Sequence, residues 1–385
     1  MRVLFSSTAG QGHLQPLIPL IRAFESQGHE VLTVAPLSLA ETLNAEAINF
    51  RLSEEPPRPE SDRLWALFPT LARPEASQLV EREWFARLCL NAMLPTVQNA
   101  VDEWSPDLII RETCAYAAAV VADRLSLRHA QVGISTATAQ ASVLLELVTP
   151  ELEELSIGLT RRIFESPYLT KFPVSLDPSP YPTTIRYRDI EKRDPHPLGN
   201  WWPGNDSPLV YLTFGTMATR TENGQELLRG VLASIQVLDI RILVTTGSKT
   251  GPEHLDVAQN VHVESWVAQE DAFAEASIVI CHGGSGTTMG ALAAGVPLIL
   301  LPLFADQPTN AALVQKAGAG IVVGDGGESA DSNSKNVEKQ MALVGGAIDQ
   351  ILTNPKFRDA ANSLAHEIRG ADSLTSLVNR IVATV

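Results

Sequence analysis

Residues 2–35 have the sequence RVLFSSTAGQGHLQPLIPLIRAFESQGHEVLTVA, which contains the signals of a strand, a helix and a second strand. The apolar run Arg2–Ser6 predicts a buried strand. After the loop Thr8–His13, apolar residues recur at helical spacing up to Gly28, and glycine commonly ends helices. The segment Glu30–Ala35 predicts the second strand. Two strands joined by a helix form a βαβ unit, so we expect a parallel sheet.

The alternation of strands and helices continues along the chain. Further strands are predicted at Asp107–Ile110, Ala130–Gly133, Leu209–Phe214, Arg241–Thr245, Val261–Glu264, Ile278–Cys281 and Leu298–Leu301, with helices near Ala115–Leu125 and at Gln225–Ile235. A proline-rich stretch, about residues 167–208, is interpreted as linker and loop, because proline neither continues a helix nor donates to a ladder. We therefore expect two α/β domains, residues 1–200 and 208–385. The last helix is a candidate for packing back onto the first domain.

The composition excludes several classes of protein. The chain has 385 residues and a formal net charge of −15, which argues against nucleic acid or an anionic membrane surface as a partner. Its cysteines, Cys89, Cys114 and Cys281, are too scattered for a disulfide framework or a zinc motif. The most apolar stretch, about residues 291–304, is too short and too interrupted to span a bilayer. Without a signal-peptide pattern, we expect a cytoplasmic protein with no stable membrane insertion.

The first glycine loop, Gly10–Gln15, lies between a strand and a helix, as the dinucleotide-binding fingerprint does. Two features argue against a nicotinamide enzyme. The third glycine position is Gln15, and the second strand ends at Ala35 and Pro36 with no acidic residue for a ribose. His13 starts a helix at the carboxyl end of a strand, where open α/β sheets bind ligands. The loop alone leaves open that His13 is only a polar helix-start residue.

The second glycine loop, His282–Thr288, follows the apolar strand Ile278–Cys281. Its glycines let backbone N–H groups approach an anion, and Ser285 and Thr287 add hydroxyl donors at a helix N-terminus. The loop lacks the lysine of a P-loop, so it suits holding a diphosphate better than transferring a phosphoryl group. A tight turn without a ligand is the alternative.

Two pairs of residues flank this loop. Asp306 and Gln307 follow a strand and offer partners for sugar hydroxyls, although Asp306 could instead cap the next helix. Trp266 follows another strand and could stack on a base, with Val267 offering backbone hydrogen bonds. A core position for Trp266 is the alternative.

These motifs together carry a resemblance. Residues 266–310 resemble the nucleotide-sugar-binding signature of the UDP-glycosyltransferase superfamily (glycosyltransferase family 1), with Trp, His-x-Gly-x-x-x-Thr, Gly-Val-Pro and Asp-Gln-x-x-Asn in order. The motif Gly-x-Gly-His-x-x-Pro, ending at Pro16, and Thr213–Thr216 extend the resemblance to both halves. The glycine loop looks most like that of bacterial enzymes that glycosylate natural products such as polyketides and enediynes.

The resemblance implies a fold and an activity. The fold would be GT-B, with two Rossmann-like domains whose parallel sheets face across a cleft. The enzyme would be an inverting, metal-independent hexosyltransferase with no cofactor, since the nucleotide sugar is its substrate. The chain has no Asp-x-Asp motif to hold a metal. The helix end and the charge of His282 would therefore stabilise the leaving diphosphate.

The resemblance also implies roles for individual residues. His13 would be the general base, and Glu112 would replace the aspartate that orients this base in many relatives. Many UDP-dependent relatives carry at the position of Gly290 a glutamate that binds the ribose, so glycine there favours a deoxythymidine donor. The donor nucleotide and its diphosphate would contact Thr216, Trp266, Val267, His282, Gly284, Ser285, Gly286 and Thr287, and the donor sugar would contact Asp306 and Gln307.

An aromatic-rich segment of the first domain predicts an apolar acceptor site formed by Trp65, Phe68, Trp84 and Phe85, with a simple core helix as the alternative. The predicted function is transfer of a sugar, in particular a deoxysugar, from a dTDP- or UDP-sugar to a small apolar natural product. A non-catalytic partner that activates another transferase, or a lipid or sterol glycosyltransferase, are the alternatives. The sequence leaves open which sugar and which acceptor react, and whether the product is an O-, N-, S- or C-glycoside. It also leaves open whether the protein forms a homodimer.

Overall fold

The computed structural model describes residues 1–189, 195–215, 222–247, 257–303, 305–324 and 334–384. The chain divides into two compact units. The first contains Met1–Phe172, Asp177–Asp189 and Ala371–Val385, and the second contains Pro173–Leu176 and Ile190–Gly370. Across the described ranges, no helix combines the length and the hydrophobicity needed to cross a membrane.

Within the described residues, fourteen strands build two sheets, one in each unit, and the strand pairings there are all parallel. The strands are β1 Arg2–Ser6, β2 Glu30–Pro36, β3 Phe50–Ser53, β4 Leu108–Glu112, β5 His129–Val132, β6 Tyr168–Thr170, β7 Thr184–Arg188, β8 Leu209–Thr213, β9 Arg241–Thr245, β10 Val261–Glu264, β11 Ile278–Cys281, β12 Leu298–Leu300, β13 Gly320–Val322 and β14 Asp372–Ser373. The first sheet has the order β14-β7-β6-β5-β4-β1-β2-β3, and the second has the order β10-β9-β8-β11-β12-β13. The predicted α/β class is confirmed.

Helices connect the strands in both units. In the first unit the α-helices are Gln11–Leu14, Ile18–Ser26, Ala40–Ala45, Arg58–Leu67, Arg73–Leu79, Leu90–Trp104, Tyr116–Arg124, Ala137–Ser142, Thr149–Leu155, Leu159–Glu165 and Leu374–Thr384. Val80–Cys89 and Val143–Leu147 are π-helical, and Leu37–Leu39 and Phe68–Thr70 are 3₁₀-helical. In the second unit the α-helices are Glu222–Ile235, Gln269–Glu275, Ser285–Ala293, Gln307–Lys316, Ser334–Thr353 and Lys356–Gly370.

The first sheet is buried on both faces, as parallel sheets normally are. Side chains alternate along β1, so that Leu4 joins a core with Leu90–Trp104 and Tyr116–Arg124, while Phe5 joins the core on the other face. That second core contains Ile18–Ser26 and the helix Leu374–Thr384, which pack against each other.

The interpretation of residues 167–208 as linker and loop is wrong in part. Tyr168–Thr170 and Thr184–Arg188 form strands β6 and β7 of the first sheet. Tyr168 and Tyr187 are buried there, so apolar side-chain burial overrides the surrounding prolines.

Each sheet has a switch point, where the chain reverses its direction of growth between neighbouring strands. In the first sheet it lies between β1 and β4, and in the second between β8 and β11. Ligands of open α/β sheets bind outside the carboxyl ends of the strands at such points. His13 follows β1 and Glu112 ends β4, whereas Gly215 follows β8 and His282 follows β11. The fold therefore places two candidate centres, one in each unit.

Candidate active site

Glu112 anchors the centre of the first unit. Its buried carboxylate accepts hydrogen bonds from the N–H of Thr8 (3.0 Å), the hydroxyl of Thr8 (2.7 Å) and the N–H of Cys114 (2.7 Å). Burial pushes the pKa of Glu112 upward, but the charge of His13 and the Thr8 donors outweigh burial and hold that pKa below its ordinary value. Glu112 is therefore a carboxylate at neutral pH.

The contacts of His13 fix its tautomer. Nδ1 lies 3.0 Å from Thr8 Oγ1 and 3.3 Å from Glu112 Oε2. The Thr8 hydroxyl donates its hydrogen bond to Glu112, and a carboxylate can only accept hydrogen bonds. Neither neighbour can therefore donate to Nδ1, so Nδ1 is the nitrogen that carries the hydrogen. Nε2 then carries the lone pair, as a general base requires. Gly10, whose φ is 112°, allows the loop to turn into the short helix that holds His13.

A buried arginine holds the backbone beneath Glu112. Arg111 is 0% exposed, and its Nη1 donates to the carbonyl oxygens of Glu112 (3.2 Å) and Thr113 (2.9 Å). Its Nη2 donates to Gln131 Oε1 (3.4 Å). Burial lowers the pKa of Arg111, and the neighbouring Tyr116 and Glu112 act in the opposite direction. These bonds fix the turn after β4, so the relay formed by Glu112, Thr8 and His13 is preorganised.

Of the four aromatic residues predicted to bind the acceptor, three are joined by ring contacts through Trp65, and Phe85 contacts His13. The ring of Trp65 lies 5.6 Å from Phe68 and 5.2 Å from Trp84, and the ring of Phe85 lies 4.9 Å from His13. Trp65 and Phe68 are exposed, with 43% and 36% of their surface accessible, so the core-helix alternative is wrong for these two. Phe85 is buried and Trp84 packs partly on the core. We name these four residues the aromatic cluster.

The donor atoms of His13, Glu112 and Cys114 all lie within 4.8 Å of one another, close enough to consider a metal. Burial, with the adjacent Glu112 carboxylate, raises the pKa of the Cys114 thiol well above its ordinary value, so without an ion this thiol is protonated at neutral pH. Both oxygens of Glu112 accept hydrogen bonds from Thr8 and Cys114. Without an ion, the three groups therefore form part of a hydrogen-bonded relay.

Two glycines enclose His282 in the second unit. A Cβ at Gly215, where φ is 66°, would lie 3.0 Å from His282 Cε1, and a Cβ at Gly284 would lie 2.5 Å from Nε2. Burial lowers the pKa of His282 to about 4, so its ring is neutral at pH 7. Without a bound diphosphate, His282 therefore carries no positive charge at neutral pH. The neutral imidazole can donate one N–H, and the helix end after Gly284 supplies the positive potential.

Ser285 links the glycine loop to Asp306. The Ser285 hydroxyl donates to Asp306 Oδ2 (2.6 Å), and Asn310 Nδ2 donates to the same oxygen (2.9 Å) and to the carbonyl of Gly283 (2.9 Å). Asp306 makes no side-chain capping bond to the helix Gln307–Lys316, so the capping alternative is wrong. The network instead orients the carboxylate of Asp306. Ala305, with a φ of 55°, has the left-handed backbone that is strained for residues other than glycine.

The other predicted donor residues differ in exposure. Trp266 is 72% exposed and its neighbour Val267 is half-buried, so the core alternative for Trp266 is wrong. Gln307 is buried, and its Oε1 accepts from the N–H of Leu303 (2.8 Å). Thr287 is buried as well, and its hydroxyl accepts from Gln269 Nε2 at 3.2 Å.

Two further positions complete the predicted donor residues. Gly286 is exposed at the first turn of the helix Ser285–Ala293, and a Cβ there would meet no atom within 4 Å. Thr216 lies outside the described residues.

Gly290 lies against an aromatic ring. A Cβ at Gly290 would come 2.6 Å from Phe273 Cε2. Phe273 is buried, and its ring makes an edge contact with Tyr211 at 5.9 Å. Phe273 therefore occupies the space that a side chain at position 290 would need.

Sequence reasoning missed several residues of these two centres. Thr8 and Asn310 were passed over, although both stand inside motifs that the sequence displays. Phe273 and Gln269 carry no motif.

Comparison with known proteins identifies the relatives of this fold. Residues 229–384 match the family described as "Erythromycin biosynthesis protein CIII-like, C-terminal domain". The L-demethylnoviosyl transferase of Streptomyces niveus is 28% identical over 330 residues, which cover 83% of this chain and 84% of that protein. The chain is a homologue of bacterial glycosyltransferases. The predicted resemblance and the predicted enzyme class are thus confirmed.

Other relatives are similar to only a part of the sequence, or are similar in fold at low sequence identity. A PGL/p-HBAD biosynthesis glycosyltransferase of Mycobacterium tuberculosis is 35% identical over 168 residues, 43% of this chain and 35% of that protein. The solved structure of the spinosyn rhamnosyltransferase SpnG has a TM-score of 0.76 at 22% identity, covering 99% of this chain and 100% of that chain. The glycosyltransferase SnogD from Streptomyces nogalater has a TM-score of 0.74 at 21% identity, covering 100% and 99%. These matches confirm the predicted GT-B fold.

Two other solved structures hold ligands. SpnG has been solved with thymidine diphosphate, with a TM-score of 0.75 at 23% identity, and with spinosyn aglycone, with a TM-score of 0.77 at 22% identity. Each match covers 99% of this chain and 100% of the SpnG chain.

Proposed function

We propose that the protein is an inverting, metal-independent glycosyltransferase that moves a deoxysugar from a dTDP-sugar to a hydroxyl of a small apolar natural product. The observation that carries this proposal is the relay of Glu112, Thr8 and His13, with Phe85 of the aromatic cluster against the His13 ring. A relay that fixes a histidine as a base serves proton removal, and aromatic side chains beside it suit an apolar acceptor. The SpnG structures with thymidine diphosphate and with an aglycone support the same pairing of substrates.

The chemistry follows from the atoms of the relay. His13 Nε2 takes the proton of the acceptor hydroxyl as its oxygen attacks the anomeric carbon. The bond from that carbon to the diphosphate oxygen breaks on the opposite face, which inverts the anomeric centre, and the electron pair leaves with the diphosphate. Glu112 stabilises the imidazolium that forms, because its carboxylate lies 3.3 Å from Nδ1. The N-terminal N–H groups of the helix Ser285–Ala293 supply positive potential that suits stabilisation of the leaving diphosphate.

Donor selection depends on Gly290. With Phe273 packed against that glycine, position 290 offers no carboxylate to a ribose. A buried 2′-hydroxyl without a partner costs about 1–3 kcal/mol, and a buried thymine methyl adds on the order of 0.8 kcal/mol. Both effects favour dTDP over UDP. Calorimetry on one preparation tests this preference, and clearly tighter binding of UDP contradicts it.

The activity is tested with the purified chain alone. The chain is incubated with dTDP-sugars and a panel of hydroxylated apolar acceptors, and the gain of one sugar is followed by mass spectrometry. We expect turnover that survives EDTA and falls by about 10²–10⁴-fold in His13→Ala, while dTDP affinity stays unchanged. Turnover only after a second protein is added would favour the activator alternative. Loss of activity in EDTA that Mg²⁺ restores contradicts the metal-independent mechanism.

A further inference from the structure

Glu81 shares a helix with two residues of the aromatic cluster and interacts electrostatically with the relay. It belongs to the π-helix Val80–Cys89, four residues before Phe85, and residues at this spacing lie on neighbouring turns. The Phe85 ring contacts His13 at 4.9 Å, and Trp84 of the same π-helix contacts Trp65 at 5.2 Å. His13 and Glu112 both act electrostatically on Glu81. Its carboxyl group is therefore within electrostatic range of the base.

One oxygen of the Glu81 carboxyl group, Oε2, is buried without a hydrogen-bond partner in the described part of the chain. Burial raises the pKa of Glu81 to about 7, with His13 lowering it and Glu112 raising it. A buried oxygen without a partner is unfavourable, and such atoms in folded proteins call for an explanation. A polar group of a bound molecule would supply the missing hydrogen bond.

We propose that Glu81 determines acceptor specificity by hydrogen-bonding a second oxygen-bearing group of the acceptor, a hydroxyl or carbonyl near the hydroxyl that His13 deprotonates. This inference rests on the proposed function and narrows its acceptor class to apolar molecules with two oxygen groups along one edge. The aromatic cluster covers the apolar body, and Glu81 and His13 supply the two polar contacts. Two fixed contacts orient the acceptor and so select the hydroxyl that reacts.

The test compares two probes that differ in one hydroxyl: naphthol, and the dihydroxynaphthalene whose hydroxyls occupy adjacent peri positions. Their binding to the wild type, Glu81→Ala and Glu81→Gln is measured by calorimetry. Glu83→Gln is the matched control, because Glu83 is on the same π-helix and pairs with Arg87 at the surface (2.6 Å). We expect the wild type and the control to bind the diol about tenfold more tightly than naphthol. Glu81→Ala should lose this preference while its affinity for naphthol stays within about twofold.

Other outcomes overturn the proposal. Equal affinity of the wild type for both probes contradicts it. So does a preference for the diol that persists in Glu81→Ala, and so does a loss of affinity in Glu81→Ala that is equal for both probes. If the melting temperature of Glu81→Ala is far below that of the wild type, Glu81→Gln is used instead. An equal loss of affinity for both probes in a folded Glu81→Gln protein shows a merely structural role. Transfer with a dTDP-sugar is measured in parallel. A wild type that prefers the diol in binding but transfers no sugar leaves the role of Glu81 intact and refutes the proposed function instead.

Discussion

The substitution Glu112→Gln tests the relay most directly. Glutamine keeps the shape of glutamate but replaces one oxygen by an NH₂ group. Thr8 and Cys114 direct three donor hydrogens at the two oxygens of Glu112, so either orientation of the amide sets donor against donor. The variant also removes the negative charge 3.3 Å from His13 Nδ1. At an effective dielectric constant of about 20, that charge stabilises an imidazolium by up to roughly 5 kcal/mol.

This energy sets the expected magnitude. The imidazolium forms only as His13 takes the acceptor proton, so the loss falls on the transition state, and kcat should drop by about 10³–10⁴-fold. Steady-state kinetics with the best dTDP-sugar and acceptor measure the drop, and calorimetry with dTDP serves as control, since Glu112 lies in the first unit. The double variant with His13→Ala should be no slower than the slower single variant, because both act in one relay. A folded Glu112→Gln protein with kcat within threefold of wild type refutes the reasoning.

Three further outcomes are expected. Gly290→Ala should lower the free energy of unfolding by about 1–3 kcal/mol, because its Cβ meets the buried Phe273 ring, whereas Gly286→Ala on the same helix meets no atom; equal melting temperatures contradict this. Binding of dTDP between pH 5 and 6 should raise the pKa of His282 from about 4, so that the protein takes up a proton on binding, and His282→Asn should lose this uptake. Calorimetry in two buffers of different ionisation enthalpy measures the proton uptake. Identical uptake by the wild type and His282→Asn argues against a contact between His282 and the diphosphate. The pKa of Glu81 is about 7 when folded and 4.5 ordinarily, so the wild type loses stability as pH rises through this window; Glu81→Gln should gain up to about 3 kcal/mol over the wild type at pH 8 and much less at pH 5, and a gain independent of pH contradicts the assigned pKa.

The central strands could be predicted from the sequence because each is a short run of apolar residues buried on both faces. β1, β9, β10 and β11 begin and end where the apolar pattern predicts. The prolines between residues 167 and 208 concealed the edge strands β6 and β7. In β7 the buried Ile185 and Tyr187 alternate with more exposed neighbours, a period-two signal that outweighs the prolines beside it.

The candidate centres could be predicted where a motif ends a strand, and not where the contact is formed only by folding. His13 and His282 stand directly in glycine loops at switch points. The bonds from Thr8 to Glu112 join residues 104 positions apart, which no local pattern reveals. The pKa of His282 depends on its burial between loops, so its neutral state could not be predicted. The cytoplasmic location stays a prediction, and whether the protein forms a homodimer stays open.

The chain leaves the first unit at Asp189 and returns to it at Ala371, which has a consequence for synthesis on the ribosome. β14 pairs with β7, and Leu377, Val378 and Ile381 of the last helix are buried in the core beneath β1 and β2. The unit that is translated first therefore completes its packing last, after the whole second unit has emerged. Until then the apolar face of Ile18–Ser26 lacks its cover, so a chimaera that exchanges the second unit must keep residues 371–384 with the first.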